Sequence, residues 1–292
     1  MSQTLVSAWK SARERLTAAG IDSPVIDARL LLEAAAEASR LEIVTEPQRT
    51  LSLAQEERLE SFLQRREARE PVSHILGRKG FWKIMLKVTG DVLTPRPDTE
   101  TLLDVVLPAL PEAAQAEILD LGVGSGAVLL AILAERPRAS GLGVDISEAA
   151  LEVARENAAL LDLSDRALFS HASWTAGLAD DRFDIVVSNP PYIPTGDITG
   201  LDPEVRDHEP HVALDGGADG LDAYRILAPE ILRVLKPGGL FAVEIGPAQT
   251  EAVSGLFTAA GAVGVRMQRD LATRERVITG MKKALGNTVL NG

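Results

Sequence analysis

The stretch EILDLGVGSGAVLLAILAERP, residues 117–137, constrains the fold of this chain more than any other. It reads as a strand, a turn with glycines at 122, 124 and 126, and then a helix. After Asp98 the same alternation continues, with strand-like runs EILDLG, GLGVDI, ALFSHA, FDIVVS, GLFAVEI, VGVRMQ and RVITG and amphipathic helical segments between the early ones. Strands alternating with helices favour a parallel sheet covered on both faces. The last two runs follow one another with no helix between them, so the final strand is expected to be antiparallel. The proline pair in SNPPYIP, residues 188–194, cannot donate into a ladder and therefore stops the fourth of these strands at Ser188.

Residues 1–74 have a different character. SAWKSARERLTAAG ends on Gly20, Ser23 and Pro24 open a second helix, and Ser52 with Gln55 has the spacing of a capping box before LAQEERLESFLQRRE. This predicts a small helical bundle, which offers no catalytic cluster and is expected to recognise a substrate. Residues 75–97 form a connector whose alternation around Phe81–Val88 predicts a strand or hairpin. It holds Arg78, Lys79, Lys83, Lys87 and Arg96 against Asp91 alone, either as lysines and arginines in water or as a contact for an anionic partner. Residues 98–284 would then be the catalytic domain, and residues 285–292 a C-terminal tail.

Composition narrows the chemistry. The chain has no cysteine and four histidines, which removes thiolate nucleophiles and cysteine-ligated zinc and leaves little for a metal site. No apolar run approaches the roughly 20 residues that span a bilayer, and the N-terminus lacks a signal-peptide core, so a cytoplasmic protein with no membrane partner is expected. A net charge of −12 argues against direct binding of duplex nucleic acid.

The turn at Gly122, Val123, Gly124, Ser125 and Gly126 lets a ligand approach the backbone at a helix N-terminus, where unpaired N–H groups favour an anionic or hydroxylated group. Its G-x-G-x-G spacing departs from the dinucleotide pattern. Asp145 closes the next strand, where its carboxylate can accept from both hydroxyls of a ribose; Ser147 is free to cap the following helix in its place. Together these specify a nucleoside pocket. The NPPY loop adds an acceptor side: Pro190 and Pro191 donate nothing, so Asn189 and main-chain carbonyls present oxygens, which suit a planar amino group, and Tyr192 supplies a flat wall. A base or an amide would fit equally. With a sulfonium methyl donor no general base is needed, because the nitrogen becomes acidic once alkylated, and catalysis rests on positioning.

LDLGVGSG, GVDIS and SNPPYI resemble the class I S-adenosylmethionine-dependent methyltransferases that act on amide or exocyclic amino nitrogens. ILGRKGFW, VLTPRPDTE and HEPHVALDGGADGLDAYR are similar to the HemK/PrmC family, the protein-(glutamine-N5) methyltransferases of peptide chain release factors. The resemblance covers nearly the whole chain and implies a Rossmann-like, seven-stranded sheet with its last strand antiparallel, preceded by the small helical bundle. It implies that Gly122–Gly126 hold the methionine part of S-adenosyl-L-methionine, Asp145 its ribose, and Trp174 its adenine. Asn189 and the Pro190 carbonyl would bind a glutamine amide, with Pro191 and Tyr192 around it, leaving S-adenosyl-L-homocysteine and needing no metal. Ser173, in HASW, departs from the acid that family members commonly carry before the tryptophan and would hold the adenine amino group more weakly.

Three alternatives remain in view: a sister enzyme acting on a ribosomal-protein glutamine, a DNA adenine amino-methyltransferase, and a non-catalytic nucleoside-binding module. DNA modification would call for a basic groove and a target-recognition insertion, and neither is visible. Asp98 reads as a helix cap or as part of the acceptor side. The acidic run 197–222 reads as a solvated loop, or as a field that repels phosphate and welcomes a basic protein loop.

Overall fold

A computed structural model describes residues 3–284; the expected C-terminal tail, 285–292, lies outside the described residues. The chain divides into two compact units, Met1–Arg78 with Asp202–His208, and Lys79–Leu201 with Glu209–Gly292.

The first unit is helical, with α1 (Leu5–Ala18), α2 (Pro24–Ala36), α3 (Arg40–Thr45), α4 (Leu53–Glu67) and α5 (Val72–Leu76). Its helix starts are written locally. Ser52 and Gln55 form the predicted reciprocal capping box of α4, and Pro24 takes the first turn of α2, where its missing N–H costs nothing. Leu5, Ala8, Ala12 and Leu16 repeat at three and four residues on α1 and pack with Leu31, Leu32, Leu59 and Leu63 into one core. Arg66 is buried and holds Asp27 at 2.8 Å and Glu204, from the 202–208 segment, at 3.0 Å. A buried guanidinium without such carboxylates would be strongly destabilising.

The second unit carries the hairpin of β1 (Arg78–Phe81) and β2 (Ile84–Lys87), the helix α6 (Thr101–Ala109), and then a sheet. Its strands are β3 (Glu117–Leu121), β4 (Ser140–Asp145), β5 (Ala167–His171), β6 (Phe183–Ser188), β7 (Leu235–Glu244), β8 (Ala262–Arg269) and β9 (Glu275–Lys282). They lie in the order β5-β4-β3-β6-β7-β9-β8, parallel except that β9 runs antiparallel to both neighbours, as the sequence pattern predicts. Helices α7 (Ala127–Glu135) and α8 (Glu148–Leu160) pack with α6 on one face, against Ile118, Ile185 and Val187. The helices Asp222–Val234 and Thr250–Ala259 cover the other face, against Leu119, Val186, Phe241 and Ile278. Alternate residues of one strand thus enter opposite cores, which is why these strands read as continuous apolar runs.

The strand order reverses beside β3, so the carboxyl ends of β3, β4 and β6 open a crevice at the switch point. The connector hairpin is pinned to its rim. The buried Asn157 side chain accepts from Lys87 N at 2.7 Å and donates to Lys87 O and to Ser125 O. Lys83, Lys87 and Arg96 pair with Glu135, Glu156 and Glu209, so much of the connector's positive charge is matched within this unit. No helix among the described residues is long and apolar enough to cross a membrane.

Candidate active site

A cavity of about 310 Å³ opens at the carboxyl ends of the central strands, lined among others by Gly122, Gly124, Asp145, Ser173, Trp174, Asn189 and Pro191. The glycine turn forms because the backbone must leave β3 sharply: Gly122, Gly124 and Gly126 have φ of 72°, 52° and 84°. Such angles are unstrained only for glycine. At Gly126 a side chain would also meet Leu130, 2.8 Å from the Cβ position. The amides of Gly122 and Val123 both donate to Val144 O, at 2.9 and 3.0 Å, tying the turn to β4.

Asp145 organises this floor. Its Oδ2 accepts from Gly124 N and its Oδ1 from Ser147 N, each at 2.9 Å, while Ser147 Oγ caps α8 by accepting from Ala150 N. Both carboxylate oxygens keep further lone pairs for a ligand. On the neighbouring strand β3, Asp120 is buried, accepts from Leu129 N at 3.2 Å, and is pushed up to about 7 by burial, with the charge of Asp145 adding to the effect. The sequence motif includes Asp120, but its composition does not announce a carboxyl that loses its charge so readily.

The opposite wall is apolar, from Leu93, Ile146, Val212, Ala213 and Ile226 with Trp174. Trp174 itself has φ of 50°, a left-handed conformation uncommon for a bulky residue, and its ring edge lies 3.9 Å from where a Cβ on Gly122 would sit. Ser173 lies in the lining next to it.

Of the residues singled out from sequence, Gly122, Gly124, Asp145, Trp174, Asn189 and Pro191 converge on this cavity, while Val123, Ser125, Gly126, Pro190 and Tyr192 stand outside its lining. Asn189 Nδ2 donates to Thr99 Oγ1 at 3.3 Å. Tyr192 packs into the second core, its hydroxyl 3.5 Å from Glu244 Oε1, and burial raises it to about 12. Glu244 is 2 % exposed and pushed up to about 7 by burial, and its Oε2 has no hydrogen-bond partner.

The loop is braced from behind by DGGADG. Ile193 N donates to Leu214 O, Gly216 N to Ile193 O, and Gln249 Nε2 to both Tyr192 O and Gly220 O. A side chain on Gly216 would lie 2.9 Å from Pro191 O. Part of the acidic run is held by partners within this unit, while Asp197, Asp219 and Asp222 stay exposed as in a solvated loop. Asp215 accepts from Thr195 Oγ1 and Gly217 N, Glu209 is buried against Arg96 and Thr94 N, and Asp219 and Asp222 pair with Arg225. Asp98 likewise makes no helix cap: it pairs with Arg274 at 2.7 Å and Arg276 at 3.2 Å. Thr99, Glu244 and Gln249 escaped sequence reasoning, since none belongs to a spaced motif of its own.

A glycine cradle, a strand-end carboxylate and an NPPY loop on this sheet define a class I S-adenosylmethionine-dependent methyltransferase. Residues 7–77 match the PrmC N-terminal domain and residues 97–200 the methyltransferase small domain. The release factor glutamine methyltransferase of Caulobacter vibrioides is 64% identical, over 98% of this chain and 99% of its own, and that of Rhodospirillum rubrum 47% identical over 93% and 83%. The chain belongs to the release factor glutamine methyltransferase family. Among solved structures, a methyltransferase from Pyrococcus furiosus aligns with a TM-score of 0.49 at 17% identity, over 77% of this chain and 98% of its own.

Proposed function

We propose that this chain transfers the methyl group of S-adenosyl-L-methionine to the side-chain amide nitrogen (N5) of the glutamine in the Gly-Gly-Gln loop of peptide chain release factors, in the cytoplasm. The observation that carries the reading is Asn189: an amide held at the end of β6 in the wall of the same cavity as Gly122, Gly124 and Asp145. Family membership supports the choice of a protein glutamine over a nucleobase.

The cavity fits the donor. Its apolar wall suits a purine, Asp145 keeps acceptors for ribose hydroxyls, and the left-handed turn at Gly122–Gly126 admits a chain close to the backbone. When bound, the donor supplies an electrophilic methyl: the amide nitrogen takes it, the S–C bonding pair returns to sulfur, and the N–H proton leaves to water. Asn189 Oδ1 and the Pro190 carbonyl accept from the amide N–H groups, which draws electron density onto nitrogen and fixes its approach. Pro191 offers no competing donor, and Tyr192, locked by its packing, holds the loop in shape. None of these groups needs to take a proton. Residues 1–74 are proposed to recognise the release factor, residues 75–97 to connect, and residues 98–284 to carry the reaction.

The test incubates the protein and methyl-labelled donor with a release factor, a ribosomal protein and DNA in separate reactions. Label at the Gly-Gly-Gln glutamine is expected. Label on DNA or the ribosomal protein alone overturns the assignment.

A further inference from the structure

Pro190 and Pro191 make the acceptor loop a stiff strut, because their rings fix two consecutive φ angles. Such a strut points where its two ends are held. The near end is set in the sheet, where Ser188 pairs with Leu121 and Val243 and its Oγ donates to Leu121 O at 2.7 Å. The far end is the main chain of Tyr192 and Ile193. The bonds of Ile193 to Leu214 and Gly216 fasten it to the DGGADG chain. Gln249 fastens it to the segment that leaves β7: its Nε2 donates to Tyr192 O at 3.0 Å and to Gly220 O at 3.1 Å, and its Oε1 accepts from Gly246 N at 2.9 Å.

The three partners of this carboxamide are main-chain groups, whose polarity cannot reverse: an N–H only donates and a carbonyl only accepts. Gln249 therefore has one way to fit, with its oxygen toward Gly246 and one N–H toward each carbonyl. Its seat is built to that shape. A Cβ on Gly220 would lie 2.3 Å from Tyr192 O and 2.7 Å from Gln249 Nε2, and one on Gly246 would lie 2.8 Å from the Tyr192 ring and 3.0 Å from Gln249 Oε1. The side chain is also rooted, being 9 % exposed at the start of the helix Thr250–Ala259, where Gln249 O accepts from Val253 N at 2.9 Å.

The two carbonyls that Gln249 holds serve different halves of the site. Tyr192 ends the loop that carries Asn189 and Pro190, whereas Gly220 leads into the helix Asp222–Val234, whose Asp222, Ala223 and Ile226 line the donor cavity. We propose that Gln249 is a positioning residue for the methyl transfer: one carboxamide ties the acceptor loop to the donor wall and fixes the gap that the methyl group crosses. This rests on the acceptor role proposed for Asn189 and Pro190. Gln249 lies outside the cavity lining, so it acts through the loop and not on the substrate. Transfer depends steeply on that gap, since a displacement of about 1 Å can lower a rate by about 10²-fold.

The experiment compares the wild type with Gln249→Met, which keeps length and loses every polar contact, and Gln249→Glu, which keeps shape and the bond from Gly246 but presents oxygen to two carbonyls. Single-turnover transfer to a release factor at saturating donor reads the chemical step, calorimetry reads donor affinity, and hydrogen exchange across residues 190–196 reads the loop. Gln249→Met should be slower by about 30-fold, the combined effect of two lost hydrogen bonds. Gln249→Glu should be slower by about tenfold or more, although it fills the same space. Donor affinity should hold within about threefold in both, which also certifies that the unit is folded, and exchange in the loop should quicken. A rate within threefold of wild type in Gln249→Met removes the role, and the same result in Gln249→Glu shows that filled space suffices without polarity. A loss of donor affinity equal to the loss of rate, or unchanged exchange in the loop, likewise overturns the proposal. Failure of the wild type to methylate any glutamine would instead overturn the proposed function, and the exchange measurement would still decide whether Gln249 holds the loop.

Discussion

Replacing Asn189 by alanine isolates the acceptor side from the donor side. The side chain is half-buried and makes one hydrogen bond, to Thr99 at 3.3 Å, so its loss should cost about 1 kcal/mol of stability and lower Tm by about 2–4 °C. The donor pocket is left intact, because the Asn189 atom that approaches Gly122 is its main-chain oxygen, 4.0 Å from the Cβ position, which alanine keeps. Donor affinity should therefore change by no more than about twofold, under 0.5 kcal/mol. The reaction should suffer far more. Removing one preorganised group that acts on a reacting centre typically lowers kcat by about 10²–10³, or roughly 3–4 kcal/mol. Single-turnover transfer of labelled methyl to a release factor, at donor concentrations saturating for both enzymes, reads the chemical step directly. A variant whose rate stays within about threefold of the wild type would refute the placement of the acceptor at Asn189. A rate loss matched by an equal loss of donor affinity would refute the separation of the two sides.

Other substitutions address the cradle and the brace. Asp145→Ala removes the acceptor of both Gly124 N and Ser147 N and should weaken donor binding by about 10–100-fold in calorimetry, more than it lowers kcat at saturation. Gly216→Ala places a methyl 2.9 Å from Pro191 O and from Tyr192 C, backbone atoms that cannot swing aside, so it should cost about 1–3 kcal/mol and reduce kcat while sparing donor affinity. Asp120→Asn tests a buried carboxyl displaced from an ordinary 3.8 to about 7, at most roughly 4 kcal/mol. The folded state binds the proton more tightly than the unfolded chain, so the wild type should lose stability as pH rises from about 4 through 7. Asparagine can still accept from Leu129 N and has no charge to bury, so the variant should show a shallower decline; equal slopes in urea unfolding at pH 5 and 8 would count against this.

Much of the fold is legible because its signals are local. Ser52 and Gln55 are three residues apart and cap α4 by themselves, and Pro190–Pro191 ends β6 at Ser188 whatever packs around it. The donor side is legible for the same reason: Gly122–Gly126 and Asp145 belong to one βαβ unit, and their backbone demands leave a spaced trace. The charged segments mislead because composition reports charge without its partner. Lys83 and Lys87 of the connector find Glu135 and Glu156, and Glu209 folds back on Arg96, so part of the charge that looks unbalanced in sequence is matched in space.

The acceptor side escapes a linear reading because sheet topology assembles it. Ser188 pairs with Val243 across β6 and β7, which sets Asn189 one step on, level with Glu244. Glu244 pairs with Val277 across β7 and β9, and because β9 runs the other way, Arg276 is the residue reached beyond it. Arg276 then bonds Asp98, drawing in the turn that carries Thr99. Segments separated by tens to more than a hundred residues thus meet behind the acceptor loop, where Thr99 reaches Asn189 and Glu244 reaches Tyr192, and the pattern that unites them is the strand order with its antiparallel last strand. Moving β9 by one residue would exchange its two faces and remove Arg276 from Asp98, so the register of an edge-proximal strand controls the geometry of a reaction centre two strands away. A substitution that weakens the β7–β9 pairing, such as Thr279→Ala, which deletes a 2.7 Å bond to Phe241 O, should therefore lower kcat before it lowers donor affinity. Equal losses in both would show that the register acts on the whole unit and not on the acceptor side.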